Sequence, residues 1–126
     1  MRSTAGRSTR SATRSTTAAG RAAERRAWWF YRLRAYRIPE RNAWTGGNEL
    51  DLVVRRGRRL AFVEVKAKGG AGRGDPLEMV TEEKQRRLRR AAEAWLAAHP
   101  EAAGLEARFD VVAVRGGRLE RVASAF

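Results

Sequence analysis

Residues 49–66 read ELDLVVRRGRRLAFVEVK, and this stretch decides the fold. Both of its ends are rich in apolar and β-branched side chains, whereas its centre, residues 56–59, holds a glycine and three arginines. Apolar runs on either side of a short glycine-containing segment are typical of a β-hairpin. We therefore predict one strand over residues 49–54, a tight turn over residues 56–59 and a return strand over residues 60–66.

The register of this hairpin brings two acids together. If Gly57 and Arg58 are the two loop residues, Asp51 lies directly opposite Glu64. Because side chains alternate along a strand, Asp51, Glu64 and Lys66 then share one face of the sheet. The other face is apolar and carries Leu50, Leu52, Val54, Val63 and Val65.

Two opposed carboxylates on a sheet predict a cation between them. At about 5 Å between Cβ atoms the two acids repel each other, and a hard divalent ion with oxygen ligands removes that repulsion. Such an ion lowers the pKa of bound water and polarises a phosphoryl oxygen. Lys66 on the same face could orient the attacking water or steady the charged phosphate. The plainer alternative is that Glu64 and Lys66 are an ordinary exposed pair on a strand.

Two helices are predicted outside the hairpin. Residues 21–36 hold many helix-forming residues and neither proline nor glycine, and Pro39 follows them. Trp28 and Trp29 in this helix are assigned to the core, with stacking on unpaired bases as the alternative. The second helix runs from a Thr81 cap to about residue 98. Its apolar stripe consists of Leu88, Ala91, Ala92, Trp95 and Leu96.

Further strands are predicted over residues 36–44, 108–114 and 119–122, with a Gly116-Gly117 turn before the last one. The fold class is therefore α/β, in the order α-β-β-β-α-β-β, with a central mixed β-sheet flanked by helices. Residues 1–19 contain Arg, Ser, Thr, Ala and Gly but no acid, and we interpret them as a disordered basic tail. A transit peptide and a misplaced start codon are the alternatives. Residues 20–126 form the single folded domain.

The charge of the chain indicates a polyanionic partner. There are 27 basic and 14 acidic residues, which give a net charge of +13. Nucleic acid is the expected partner, although the codon bias of a GC-rich genome would also favour arginine. The absence of cysteine excludes disulfides and thiolate metal sites. No apolar run approaches membrane-spanning length and no secretory signal is recognisable, so we predict no membrane association and a cytoplasmic location.

Four motifs together resemble a known family. The chain is similar, over about residues 20–122, to the YraN-like family of uncharacterised bacterial proteins. The resemblance implies a restriction-endonuclease-like fold, similar to archaeal Holliday junction resolvases, with the PD-(D/E)XK nuclease signature. The motifs that carry it are Gly47-x-Glu49-Leu50-Asp51-Leu52-Val53, Phe62-Val63-Glu64-Val65-Lys66, Glu83-Lys84-Gln85-Arg86-Arg87-Leu88 and Arg108-Phe109-Asp110-Val111-Val112-Ala113-Val114.

The resemblance also implies roles for individual residues. Asp51, Glu64 and Lys66 match the metal-binding and catalytic residues, Glu24 matches a further acid at the metal, and Gln85 matches a polar catalytic position. From the residues alone, Glu24 is equally compatible with an ion pair within its helix, and Gln85 with a polar contact at a helix end. The chain departs from the family pattern by having Asn48 in place of a glycine and Ala67-Lys68 in place of Thr-Arg.

These observations lead to one main functional hypothesis and two alternatives. The main hypothesis is an endonuclease dependent on Mg²⁺ or Mn²⁺ that acts on DNA, with branched or junction DNA as a candidate substrate and a homodimer by analogy with resolvases. The alternatives are a non-catalytic nucleic-acid-binding module and an interaction protein for an acidic partner. Asp110 is a further acid, assigned either a supporting role or a pair with Arg108. The residues expected to contact nucleic acid are Lys68, Arg73, Lys84, Arg86, Arg87 and Arg90.

Overall fold

The part of the chain that the structure describes has two helices and five strands. The structure is a computed structural model, in which residues 17–67 and 76–126 are described. The predicted tail up to residue 16 and the predicted nucleic-acid contacts Lys68 and Arg73 lie outside these ranges. The elements are α1 (Ala18–Leu33), β1 (Arg37–Thr45), β2 (Asn48–Arg56), β3 (Arg59–Ala67), a 3-10 turn (Pro76–Met79), α2 (Glu82–Ala98), a second 3-10 turn (Pro100–Ala102), β4 (Glu106–Arg115) and β5 (Arg118–Val122).

The strands form one mixed sheet in the order β1-β2-β3-β4-β5. Neighbouring strands are antiparallel except β3 and β4, which are parallel because the chain crosses over through α2 between them. The predicted element order, the mixed sheet and the two flanking helices are therefore confirmed. α1 packs on one face of the sheet and α2 on the other.

The first helix differs from the prediction at both ends. It begins at Ala18, inside the segment interpreted as a tail, because the Thr17 hydroxyl caps it by accepting a hydrogen bond from the Gly20 amide at 2.9 Å. It ends at Leu33, three residues early, because Ala35 adopts a positive φ of 68° that stops helical pairing.

The core-facing stripe of α1 is narrow. Its buried residues are Ala23, Ala27 and Tyr31, which follow one another at a spacing of four. Trp28 is partly buried against this core, but the assignment of Trp29 to the core is wrong, because its side chain is 55% exposed. Two of the three stripe residues are alanines, whose small side chains let the helix lie close to the sheet.

The second helix follows the prediction closely. The Thr81 hydroxyl accepts a hydrogen bond from the Lys84 amide at 3.1 Å, and the helix ends at Ala98 with His99 as its C-cap. Its predicted stripe lies in the core, with Leu96 only partly buried.

Two apolar clusters hold the sheet between the helices. The α2 side contains Phe62 against Trp95, with ring centroids 5.8 Å apart. Leu50 belongs to this cluster, so its assignment to the opposite face is wrong. The β1–β2 turn curls onto α2: a Cβ added at Gly46 would lie 2.8 Å from the Arg90 carbonyl oxygen. Leu50, near that end of β2, is drawn to the same side. The α1 cluster includes Leu52, Val54, Val63 and Val65, as predicted.

Neither helix of the described ranges is long and apolar enough to cross a membrane.

Candidate functional site

The hairpin register places the two predicted acids, Asp51 and Glu64, where β2 and β3 separate. We call this point of the sheet the fork. Arg56 pairs with Arg59 across the predicted two-residue loop, and the same register continues to Leu52 and Val63. Regular pairing of β2 with β3 stops there. Asp51 and Glu64 are thus the first residues beyond the paired region, and the prediction of a directly opposed pair inside the hairpin is wrong. Beyond this point, within the residues that the structure describes, β2 continues to pair with β1 and β3 with β4.

The Asp51 carboxylate occupies the fork between the two strands. Its Oδ2 accepts a hydrogen bond from the Val65 amide at 2.8 Å, so a side chain takes the place of a backbone partner where the strands separate. Asp51 is buried, and a buried carboxylate is retained only where hydrogen bonds or cations compensate its lost hydration. The bond to Val65 fixes the carboxylate close to the start of the Glu64-x-Lys66 segment.

Glu64 is the buried acid with the least conventional surroundings. Its side chain is 2% exposed, and its Oε2 lies 3.5 Å from Lys66 Nζ and 3.8 Å from Lys84 Nζ. Both distances exceed the usual length of a charged hydrogen bond. Within the described ranges neither oxygen of Glu64 receives a hydrogen bond. The site therefore combines a desolvated acceptor group with two partly exposed ammonium groups.

The first turn of α2 contributes to this site. Lys84, predicted to contact nucleic acid, reaches back to Glu64, which confirms that this end of the helix points toward the sheet. Gln85 donates from Nε2 to the Val80 carbonyl at 3.2 Å, which is the helix-end contact foreseen as its alternative role. A catalytic role for Gln85 stays a prediction.

Glu24 is positioned by a different element from the other acids. It is half-buried on α1, which packs on the sheet face opposite to α2. In residues 17–67 and 76–126, no three Asp, Glu or His side chains converge as a complete metal site would require. The joint role of Glu24, Asp51 and Glu64 as metal ligands stays a prediction.

The outer face of α2 is basic, as predicted. Arg86 and Arg90 are exposed, while Arg87 forms an ion pair with Glu83 at 2.8 Å. The Arg87 hydrogen bond and charge lower the pKa of Glu83, which keeps this exposed pair ionised. Contact of these arginines with phosphate stays a prediction.

One further buried acid lies on β2, and no role of its own was predicted for it from the sequence. Glu49 is 5% exposed and precedes Asp51 by two residues on β2. A continuous hairpin register would have placed it opposite Lys66, as a simple cross-strand pair. The signal that could have identified it is the Glu-x-Asp spacing within a strand whose next residues, Leu50, Leu52 and Val53, are apolar.

Asp110 forms a separate polar network on the α1 side. It accepts hydrogen bonds from the Tyr31 hydroxyl at 2.8 Å and the Ser124 amide at 3.1 Å. Arg108 contributes its Nε at 3.0 Å, so the predicted pair of Arg108 with Asp110 is confirmed. Arg121 lies at 3.8 Å. Asp110 has no exposed surface, and its partners surround both of its oxygens.

The two tyrosines of this network have pKa values shifted in opposite directions. Burial, and then the charge and hydrogen bond of Asp110, raise the pKa of Tyr31 far above 10.0. For Tyr36, burial acts in the raising direction, but the hydrogen bond at 3.0 Å and charge of Arg108, with Arg121 and Arg56, lower its pKa below 10.0. Burial opposes the charge on Arg108, yet Asp110 and Tyr36 outweigh it and raise the arginine's pKa.

The fold and the site define a small mixed α/β protein with buried acids and two lysines where β2 and β3 separate. Comparison with known proteins supplies the family: residues 23–114 match UPF0102, described as an uncharacterised protein family, and the chain belongs to it. This confirms the resemblance to the YraN-like family.

Relatives from several bacteria share most of the chain. A UPF0102 protein of Methylocella silvestris is 47% identical over 98 residues, which cover 75% of each chain. One from Chlorobium phaeobacteroides is 39% identical over 117 residues, covering 85% of this chain and 92% of the relative. One from Nitrobacter winogradskyi is 45% identical over 103 residues, covering 82% and 86%.

Proposed function

We propose that the chain is a metal-dependent endonuclease that hydrolyses a phosphodiester bond in DNA, with a restriction-endonuclease-like fold. The observation that carries this proposal is Glu64, a buried carboxylate that receives no hydrogen bond from the described residues. An unbonded buried carboxylate is costly, and such groups recur where function requires them. Its position beside Asp51 and two lysines is suited to a reaction on a phosphate.

The donor set at the fork fits a hard divalent cation. Carboxylate oxygens are the ligands that Mg²⁺ and Mn²⁺ prefer, and Asp51 and Glu64 would hold the ion, with Glu24 as a further candidate ligand. When bound, the ion would activate a water molecule and polarise the phosphoryl oxygen. The acceptor positions of Glu64 that lack a donor in the described residues are the physical reason for expecting a cation there.

The lysines supply the rest of the chemistry. Lys66 is one-third exposed and adjoins Glu64, so its ammonium can meet both the acid and an incoming phosphate. There it would neutralise charge that develops on the phosphate oxygens. Lys84 would hold a neighbouring phosphate, and the exposed Arg86 and Arg90 on the same helix would extend the contact along the nucleic-acid backbone.

A second candidate function is a nucleic-acid-binding module without catalysis. The specific observation in its favour is that Lys66 and Lys84 both lie within 4.0 Å of Glu64. Two ammonium groups can balance the acid without an ion, and the basic surface alone can bind phosphates. Cleavage separates this function from the first.

A cleavage assay on purified protein tests the proposal. We expect wild type to cut at least one of duplex, single-stranded and four-way-junction DNA in Mg²⁺ or Mn²⁺, with a homodimer in the cytoplasm as the working assembly. Asp51→Asn and Glu64→Gln should each abolish cleavage and weaken metal binding measured by calorimetry. Lys66→Ala should retain metal binding while the cleavage rate falls by roughly 10²-fold or more.

The matched control is Glu93→Gln, which removes an exposed acid from α2 and should leave cleavage unchanged. All variants should still bind DNA without metal, because the basic surface is intact. Cleavage that persists in Glu64→Gln would place the reaction elsewhere in the molecule. A wild type that binds DNA but neither binds metal nor cuts any of these substrates would support the binding module instead.

A further inference from the structure

A second group of basic side chains lies at the other end of the sheet. Arg37 on β1 is directly opposite Arg55 on β2, and Arg56 is directly opposite Arg59 across the β2–β3 turn. Like charges in directly opposed positions destabilise a sheet unless something neutralises them. Arg59 and Glu64 are five residues apart on β3, which corresponds to about 17 Å along a strand. This end is therefore separate from the fork.

The arginines at this end are held in place by groups that do not neutralise them. Arg55 donates from Nε to the Gly57 carbonyl at 3.0 Å. Arg56 donates to the Arg34 carbonyl at 2.9 Å, and its guanidinium lies 4.5 Å from the centre of the Tyr36 ring. Across residues 17–67 and 76–126, no carboxylate forms an ion pair with Arg37, Arg55 or Arg56. The guanidinium groups of Arg55 and Arg56 are therefore oriented by contacts that do not include a carboxylate.

Two adjoining cavities share these side chains. One has a volume of about 270 Å³ and is lined by Ala35, Arg37, Arg55, Arg56 and Gly57. The other has a volume of about 330 Å³, and Arg37 and Arg55 line it as well. Its remaining wall is apolar apart from Glu101, and consists of Ile38, Pro39, Leu60, Trp95, Ala102 and Leu105.

An irregularity in β1 accompanies the apolar cavity. The pairing of β1 with β2 shifts register between Arg37 and Glu40, so Ile38 and Pro39 lie in a β-bulge. Bulges redirect side chains and are common beside binding sites. Here the bulge lies at a sheet edge, where it places two apolar residues on the wall of the cavity.

We propose that these two cavities form a binding site for a nucleoside phosphate. Arg37, Arg55 and Arg56 would hold the phosphate, because guanidinium groups match phosphate oxygens in charge and geometry. The base would enter the apolar cavity, where the Arg37 and Arg55 planes can also stack on it. Glu101 would accept a hydrogen bond from an amino or hydroxyl group and would repel a phosphate, which sets the orientation of the ligand.

Calorimetry on the full chain at 150 mM salt tests this site. The probes are adenosine monophosphate, adenosine and inorganic phosphate. We expect the nucleotide to bind at least tenfold more tightly than either fragment, since only the nucleotide fills both cavities. Arg55→Gln should lower the affinity for adenosine monophosphate at least tenfold. Should Arg55→Gln fail to fold by circular dichroism, the exposed Arg37→Gln carries the same expectation.

The chain offers a matched control at the β4–β5 turn. Arg115 and Arg118 are also directly opposed there, and neither lines either of these two cavities. Arg118→Gln removes the same charge close to a turn of the same length and should change the affinity less than twofold. An equal loss in Arg118→Gln, an unchanged affinity in Arg55→Gln, or a nucleotide that binds no better than phosphate would overturn the proposal.

A further binding experiment tests whether the nucleoside phosphate is a free nucleotide or the end of a nucleic-acid strand. A blunt duplex is compared with a duplex that carries an unpaired, 5′-phosphorylated end. Extra affinity of the second duplex that is lost in Arg55→Gln would assign the site to the end of a nucleic-acid strand. Binding of adenosine monophosphate without that difference would assign it to a free nucleotide. Because the site is remote from the fork, Glu64→Gln should keep nucleotide binding even if the proposed nuclease activity is absent.

Discussion

Two buried acids on neighbouring strands have opposite surroundings. In the parallel pairing of β3 with β4, Val63 aligns with Asp110 and Glu64 aligns with Val111. Asp110 therefore faces α1 and Glu64 faces α2, one residue apart in register. Asp110 is bound by a hydroxyl, a backbone amide and a guanidinium, whereas among the described residues Glu64 has two ammonium groups at 3.5 and 3.8 Å and no hydrogen bond.

The difference in partners distinguishes an acid that stabilises the fold from an acid that is available to a ligand. A buried charge whose partners are all in place holds distant elements together, because removal of one partner leaves the others uncompensated. A buried charge with incomplete partners contributes little to folding and remains available to a ligand. One sheet thus has a fully partnered acid on one face and, on the other, the acid that we propose takes part in a reaction.

The largest effect is expected from Asp110→Asn. The change keeps the shape of the side chain but leaves Arg108 and Arg121 without their carboxylate. We expect the free energy of unfolding to fall by about 3–5 kcal/mol, measured by chemical denaturation. Glu120→Gln, an exposed acid on β5, is the control and should change it by less than about 0.5 kcal/mol. Equal losses in Asp110→Asn and Glu120→Gln would show that Asp110 is not a structural acid.

A smaller effect is expected from Tyr31→Phe. This variant keeps the buried ring and removes only the hydroxyl that donates to Asp110 at 2.8 Å. A hydrogen bond to a charged group contributes about 1.5–3 kcal/mol, and we expect a loss of stability in that range. Tyr36→Phe tests the same network through Arg108 and should cost less, since the salt bridge of Arg108 remains. No measurable loss in Tyr31→Phe would show that the network is not structural.

The network can also be followed by alkaline titration, because the chain has only two tyrosines. The pKa of Tyr36 is lowered from 10.0, so its phenolate absorbance should rise first, in the folded protein. The pKa of Tyr31 is raised, so its contribution to stability is complete below the unfolded pKa of about 10 and is lost as pH rises above it.

We therefore expect half of the tyrosine absorbance change to occur below pH 10 and half to accompany unfolding. Tyr31→Phe should abolish the second half, and Tyr36→Phe the first. Simultaneous ionisation of both groups in the folded protein would contradict the assigned contacts.

The smallest effect on stability is expected from Glu64→Gln. The variant is isosteric, and the two lysines it leaves behind are 33% and 22% exposed, so water can solvate them. We expect the free energy of unfolding to change by less than about 1 kcal/mol, in either direction. A loss as large as that of Asp110→Asn would show that Glu64 is also a structural acid and would weaken its assignment to catalysis.

The sequence was sufficient to predict the features of the fold that depend on local rules. Loop length and alternation determined the register from the β2–β3 turn to Leu52 and Val63. A threonine cap and a spaced apolar stripe determined α2. These rules were sufficient to bring Asp51, Glu64 and Lys66 to one region of the protein.

What the sequence missed depends on distant contacts. The β2–β3 pairing ends at Leu52 and Val63, toward the end of β2 where the β1–β2 turn folds onto α2, and that contact has no local signal in the sequence. The bond of Tyr31 to Asp110 joins residues 79 positions apart. Without these contacts a strand acid next to arginine could not be distinguished from an ordinary surface pair.

The single parallel pairing in the sheet also has a consequence for the order of folding. β1, β2 and β3 are joined by tight turns, so they can pair while the chain is short, whereas β4 must wait until the whole of α2 has been made. Contacts between distant segments form slowly because the intervening loop has to close first. We expect a nascent chain to position Asp51 and Glu64 before Asp110, so that the acid which joins α1 to the sheet arrives after the first three strands have paired.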